Sequence, residues 1–250
     1  MVQLSHQILP HSGKTILFLH GFLGNSQQWN PLVEHFRESH QILLIDLPGH
    51  GASPASSSYA IAQIADAIHN ILKEQNINSI HFVGHSMGGY VGCAFAKAYP
   101  EKTASLHLIN SCASGDSDSR KSQRNRSIQL VSRHPAAFVN MAVTHLFTEN
   151  ERELFENKIK MMKADAQNLA AESIIHAIAA MRDRPSQLES LKVVSFPIHY
   201  IYGADDQIVP PDIVETELHS IKANVTKLAS GHMSLITHKL ELINKMRLIE

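Results

Sequence analysis

Phe82-Val83-Gly84-His85-Ser86-Met87-Gly88-Gly89-Tyr90 is the stretch on which the reading of this chain turns. Its first residues form an apolar run of strand character and its last residues open a helical pattern. Between them a serine is flanked, two residues to either side, by glycine. A strand that turns sharply into a helix brings the two backbones too close for side chains at those flanking positions, so the Gly84-x-Ser86-x-Gly88 spacing has a steric cause. Such a turn would present Ser86 as a nucleophile. The pattern alone arises by chance in about one chain in ten of this length, so the surrounding sequence has to carry the reading.

Working outward, apolar runs of four or five residues recur at 16–19, 42–45, 80–83, 106–109, 198–202 and 225–228. Near-continuous runs of this kind suit parallel strands buried on both faces. Helical patterns alternate with them at 29–38, 59–74, 87–99, 212–221 and 234–247. The alternation predicts an α/β fold built on a doubly wound, mostly parallel sheet, with residues 3–9 adding an antiparallel edge strand.

The rhythm breaks at residues 111–190, which hold several helical patterns and no convincing strand. The expected organisation is therefore a core of residues 1–110 and 191–250 with a helical cap inserted at 111–190. Pro135 is placed to open one cap helix, whose apolar face includes Phe138, Met141, Ala142 and Phe147. Asn150 with Glu153 resembles a capping box, followed by Phe155, Ile159, Met162 and Ala166 at helical spacing. A third helix spans 168–181 and is stopped by Arg184-Pro185. Most of these apolar stripes are expected to pack helix on helix, leaving Phe138, Met141, Phe147 and Met162 as candidates to line a pocket. Arg120, Lys121, Arg124 and Arg126 read as a solvated basic face, with the alternative that Arg120 and Arg124, one helical turn apart, meet a substrate carboxylate.

A serine hydroxyl needs a base, and the base needs a carboxylate to hold its tautomer. His232 follows the last apolar run in Ala229-Ser230-Gly231-His232-Met233, where the end of a parallel strand would deliver it. Asp205 and Asp206 follow the preceding run. The order Ser, Asp, His is that of a nucleophile elbow with its partners. Leu19-His20-Gly21-Phe22-Leu23-Gly24 supplies a turn suited to presenting the Phe22 N–H, and the Met87 N–H stands just after Ser86; together they make an expected oxyanion hole. His20 and His85 flank the same place as candidate pocket residues. Asp46 and His50 read as turn formers.

Composition narrows the partners. The chain has 250 residues, a formal charge of -1 and no long run of one sign, which points away from nucleic acid and membrane surfaces and toward a small molecule. The N-terminus lacks a basic region followed by an apolar stretch, so a cytoplasmic protein is expected. The 17 histidines include no His-Glu-x-x-His run, and Cys93 and Cys112 have no close-spaced pair, so neither a metal nor another cofactor is expected and both thiols should be reduced. A monomer and a homodimer are equally compatible with the sequence.

Four motifs in order carry a resemblance: the His20-Gly21 loop, Asp46-Leu47-Pro48-Gly49-His50-Gly51-Ala52-Ser53, the elbow at Ser86, and Gly203 to Pro210 paired with Gly231-His232. Over nearly its whole length the chain resembles the α/β-hydrolase superfamily. The resemblance implies that the acid is Asp206, because the family pattern Gly-x-x-Asp-x-x-Val-Pro falls on residues 203–210. It further implies a serine hydrolase of carboxylic esters with small to medium acyl groups, acting through an acyl-enzyme on Ser86, with thioesters, lactones and amides open to the same machinery. The alternative is carbon–carbon bond cleavage of a carboxylated dienone-type substrate, since the loops are also similar to the menaquinone-pathway synthase and to meta-cleavage product hydrolases. That synthase family usually carries an arginine after the elbow glycines; this chain has Tyr90.

Overall fold

The computed structural model describes residues 2–246. Its strands are β1 (His6–Leu9), β2 (Thr15–Leu19), β3 (Gln41–Ile45), β4 (Ile80–His85), β5 (Thr103–Ile109), β6 (Ile198–Gly203) and β7 (Asn224–Leu228). They form one sheet in the order β1-β3-β2-β4-β5-β6-β7. β1 runs antiparallel to β3, and every other neighbouring pair is parallel. β2, β4 and β6 are buried from end to end, as strands covered on both faces must be. β7 stands at the edge and leaves Val225 exposed.

Parallel neighbours need crossovers, and helices supply most of them. They are α1 (Asn30–Phe36), α2 (Ile61–Glu74), α3 (Met87–Ala98), α4 (Asp118–Arg133), α5 (Pro135–His145), α6 (Glu149–Leu154), α7 (Glu156–Gln167), α8 (Ala171–Asp183), α9 (Leu188–Leu191), α10 (Pro211–Leu218), α11 (Ser234–Thr237) and α12 (Lys239–Met246). α2 buries Ile61, Ile64, Ala65, Ile68 and Leu72, one face at helical spacing. α3 is buried on all sides from Met87 to Ala96, which suits a helix with glycine and alanine at its contacts.

Six helices, α4 to α9, separate β5 from β6, and the described residues between those strands include no strand. Pro135 opens α5 at its first position. The start of α6 differs from expectation. Thr148, not Asn150, is the cap: its Oγ1 accepts from the Glu151 N–H at 3.3 Å, and Glu151 Oε2 accepts from the Thr148 N–H at 2.8 Å. Thr148 and Glu151 have the same spacing two residues earlier, and that register lets the buried Glu151 carboxylate satisfy a further amide, described below. The C-terminal helix also departs from expectation. His238 at φ -127° interrupts it, dividing α11 from α12, and its expected end at Arg247 lies outside the described residues.

Cys93 and Cys112 are buried free thiols. Among the described residues no helix is long and apolar enough to cross a membrane.

Candidate active site

The turn between β4 and α3 is strained where the sequence predicts it. Ser86 has φ 50° and ψ -115°, a conformation that residues with side chains rarely adopt. Close packing explains the flanking glycines: a Cβ at Gly88 would overlap the Leu19 carbonyl, and one at Gly84 would overlap the backbone of Gly88. The strained residue is held from both sides. Its N–H donates to the Ile109 carbonyl at 2.9 Å, and its carbonyl accepts from Ser111 Oγ at 2.8 Å.

Three sheet ends converge on it. Ser86 Oγ lies 2.9 Å from His232 Nε2. His232 Nδ1 lies 2.8 Å from Asp206 Oδ2 and 3.0 Å from Oδ1. Asp206 is buried, and Oδ1 also accepts the amides of Ile208 at 2.8 Å and Val209 at 3.0 Å, while Oδ2 accepts Asn110 Nδ2 at 2.9 Å. Burial pushes its pKa up, but the imidazole charge and these hydrogen bonds together outweigh burial and hold the carboxyl below its ordinary range. The neighbouring Asp205 is not part of this contact.

Two amides face no partner. Among the described residues neither the Phe22 nor the Met87 N–H donates to another group. The Phe22 loop is braced from behind. His20 Nδ1 donates to the Gly21 carbonyl at 2.8 Å and Nε2 accepts from the Leu47 N–H at 2.9 Å, while His50 Nε2 accepts from the Leu23 N–H at 3.3 Å. Burial, with His50 nearby, lowers the His20 pKa to about 4, so His20 is a neutral brace. His85 Nε2 donates to the His232 carbonyl at 2.9 Å; burial first, and then the His232 charge, lowers its pKa to about 3.

A cavity of about 430 Å³ opens over Ser86 and His232. Phe22, Phe138, Met141 and Met162 give it an apolar wall, and His85, Arg120 and Arg124 also border it.

A sequence model of the alpha/beta hydrolase fold family matches residues 14–239. The chain belongs to that family. Among its relatives is the dihydrolipoyllysine-residue acetyltransferase component of the acetoin cleaving system of Cupriavidus necator, 26% identical over 88% of this chain; the chain spans only 59% of that protein's length. The candidate carbamate hydrolase RutD of Yersinia enterocolitica is 26% identical over 80% of this chain and 73% of its own. The pimeloyl-[acyl-carrier protein] methyl ester esterase of Hamiltonella defensa is 26% identical over 89% of this chain and 87% of its own. In fold, the chain matches a thermophilic esterase from Thermogutta terrifontis with a TM-score of 0.90, at 24% identity, over 98% of this chain and 91% of that one.

In this α/β-hydrolase, Ser86, Asp206 and His232 meet, with Phe22, Met87, His85, Phe138, Met141 and Met162 around the same space. His20 and Phe147 do not border the cavity. His20 turns behind the Phe22 loop, and Phe147 is packed into the core. The basic face of α4 is not simply solvated either, because Arg120 and Arg124 border the cavity and Arg124 is ion-paired with Asp116 at 3.0 Å. Two residues escaped the sequence reading. Asn110, at the end of β5, bonds Asp206 and the Gly231 carbonyl, and Glu151 bonds the Gly231 amide at 3.0 Å. The signal for Asn110 was its position, the strand end where some α/β-hydrolases carry the acid; Glu151 left only its capping spacing.

Proposed function

We propose that this α/β-hydrolase cleaves carboxylic esters through an acyl-enzyme on Ser86. The observation that carries the reading is the continuous contact from Ser86 Oγ through His232 to Asp206, beside the two unpartnered amides of Phe22 and Met87. Ser86 Oγ attacks the ester carbonyl carbon as its proton passes to His232 Nε2, and the carbonyl oxygen becomes an oxyanion held by the Phe22 and Met87 N–H groups. The tetrahedral intermediate collapses, and His232 returns the proton to the departing alkoxide. Water then repeats the sequence on the acyl-enzyme, releasing the acid and restoring Ser86. Asp206 keeps His232 in the tautomer with the proton on Nδ1 and offsets the imidazolium charge.

In this reading α4 to α8 act as a cap whose inner side chains select the substrate. The relative named as a methyl ester esterase supports ester chemistry. Tyr90 argues against the lyase alternative: its ring lies under the Arg184 guanidinium, 3.8 Å away, and Arg184 is already paired with Asp116. The test is a series of p-nitrophenyl esters from acetate to decanoate. Turnover that falls at least about 10³-fold in Ser86→Ala supports the reading. Absence of ester cleavage by the folded wild-type protein, with activity on a carboxylated dienone, contradicts it.

A further inference from the structure

Guanidinium groups outnumber carboxylates where α4 meets the cavity. Arg120 and Arg124 stand one turn apart on α4, and Arg184 follows the end of α8 nearby. One buried carboxylate, Asp116, serves the group: Oδ1 takes Arg184 Nη1 and Oδ2 takes Arg124 Nε at 3.0 Å. Arg184 is further satisfied by the carbonyls of Met181 at 2.6 Å and Ser114 at 2.9 Å and by the Tyr90 face. It is therefore fully engaged and does not border the cavity.

Arg120 differs. Among the described residues no carboxylate pairs with it; Nη2 donates to the Ile208 carbonyl at 2.9 Å and Nη1 to Gln123 Oε1 at 3.3 Å. Burial, reinforced by the Arg124 charge, outweighs the nearby Asp116 charge and lowers its pKa. Arg124 has given only Nε to Asp116. Among the described residues no aspartate or glutamate borders the cavity. The space over Ser86 thus has two guanidiniums on one side, an apolar wall on another, and no negative group of its own. A desolvated charge is costly unless something pairs with it, and a ligand anion would replace the neutral Ile208 carbonyl with a charge-assisted bond of about twice the strength.

We propose that Arg120 and Arg124 form an anion subsite, and that the substrate is an ester carrying a second, free carboxylate. This rests on the reading of Ser86 as the nucleophile in the same cavity. The apolar wall takes the chain between the two functional groups or the rest of the ester, and the guanidiniums take the carboxylate by forked hydrogen bonds.

The experiment compares pairs that share a scissile bond and differ in one charge. Monoethyl adipate is set against ethyl hexanoate, and 3-(butanoyloxy)propanoate against propyl butanoate, so that the carboxylate is offered on the acyl and the alcohol side in turn. The expected result is a kcat/KM at least about tenfold higher for the charged member of one pair, a ratio that falls at least about tenfold in Arg120→Gln and partly returns in Arg120→Lys. Charged members no better than neutral ones in both pairs, or a ratio untouched by Arg120→Gln in folded protein, would overturn the proposal. Failure of the nucleophile reading is recognised separately, as absence of turnover of every ester. In that event, adipate binding to the folded protein by calorimetry still decides the subsite. Binding weakened at least about tenfold by Arg120→Gln supports it; no binding, or equal binding, overturns it.

Discussion

Glu151, on helix α6 between β5 and β6, accepts a hydrogen bond at 3.0 Å from the amide of Gly231, the residue before His232. The His232 amide is also taken by this stretch, through the Leu146 carbonyl at 3.0 Å. The loop that carries the proposed base is thus fastened on its backbone by residues 80 or more positions away in sequence. Glu151→Ala leaves the Gly231 N–H buried without an acceptor, a loss on the order of 1–3 kcal/mol. We expect kcat to fall about tenfold or more with KM changed less, because the defect moves His232 and leaves the pocket wall in place; Glu151→Gln, which keeps an acceptor oxygen, should recover most of it. Steady-state kinetics of the two variants check this.

Asn110 performs the matching task for the acid. Its amide nitrogen donates to Asp206 Oδ2 at 2.9 Å and to the Gly231 carbonyl at 3.2 Å, and its oxygen accepts from Ser234 Oγ. Asn110→Ala removes one of the bonds that hold the Asp206 carboxyl below its ordinary range. Hydrogen bonds to a charged group are worth about 1.5–3 kcal/mol, so ester turnover should drop roughly 10- to 100-fold, measured with p-nitrophenyl butyrate.

How far the sequence disclosed this arrangement depends on what fixed each feature. The elbow at Ser86 was legible because its constraint is local: two glycines are forced by the backbone itself. β2, β4 and β6 were legible because burial on both faces leaves a near-continuous apolar run. His20 and Phe147 do not border the cavity, because proximity in sequence to a loop does not say which way a side chain turns; His20 instead shapes its loop by hydrogen bonds. Asn150 and Thr148 both stand three residues before a glutamate, and a tertiary contact to Gly231 decides for Thr148. Arg124 looked solvated because its partner Asp116 and the cavity are brought to it only by folding. Asn110, Glu151 and Glu217 escaped for the same reason.

Glu217 on α10 is a buried anchor for the segment that follows β5. Its carboxylate accepts the amides of Ala113 at 2.9 Å and Ser114 at 2.8 Å, together with Ser114 Oγ and, at 2.8 Å, the Tyr200 hydroxyl. Glu217→Ala strands these donors in the interior. The expected cost is on the order of 3 kcal/mol or more, seen as a lower midpoint in urea, with Glu217→Gln in between.

Acid should destabilise the fold through a row of histidines under the sheet. His81 Nδ1 lies 2.7 Å from Ser105 Oγ, which lies 2.9 Å from His107 Nε2, and the His107 ring stacks on His199 with centroids 4.3 Å apart. Burial, with Lys14, His40 and His199 adding to it, lowers His81 to about 4; burial likewise lowers His199 and, with the His199 and His81 charges, His107. Folded, each takes up a proton only at a lower pH than in the unfolded chain, where it does so near pH 6.5. Stability is therefore retained above pH 6.5 and lost as the pH falls toward 4, at up to about 1.4 kcal/mol per pH unit for each such group. Urea midpoints at pH 7.5 and 5 should differ, and His199→Gln should narrow the difference.

The central claim is that Ser86 is the nucleophile and that His232 activates it. Its most direct test is intact-protein mass spectrometry after a short exposure to a fluorophosphonate at pH 7.5. Stoichiometric addition of one phosphonyl group on Ser86, abolished in Ser86→Ala and slowed at least about 100-fold in His232→Gln, is the predicted result. A folded wild-type protein that remains unlabelled, or that is labelled at a residue other than Ser86, would contradict the account.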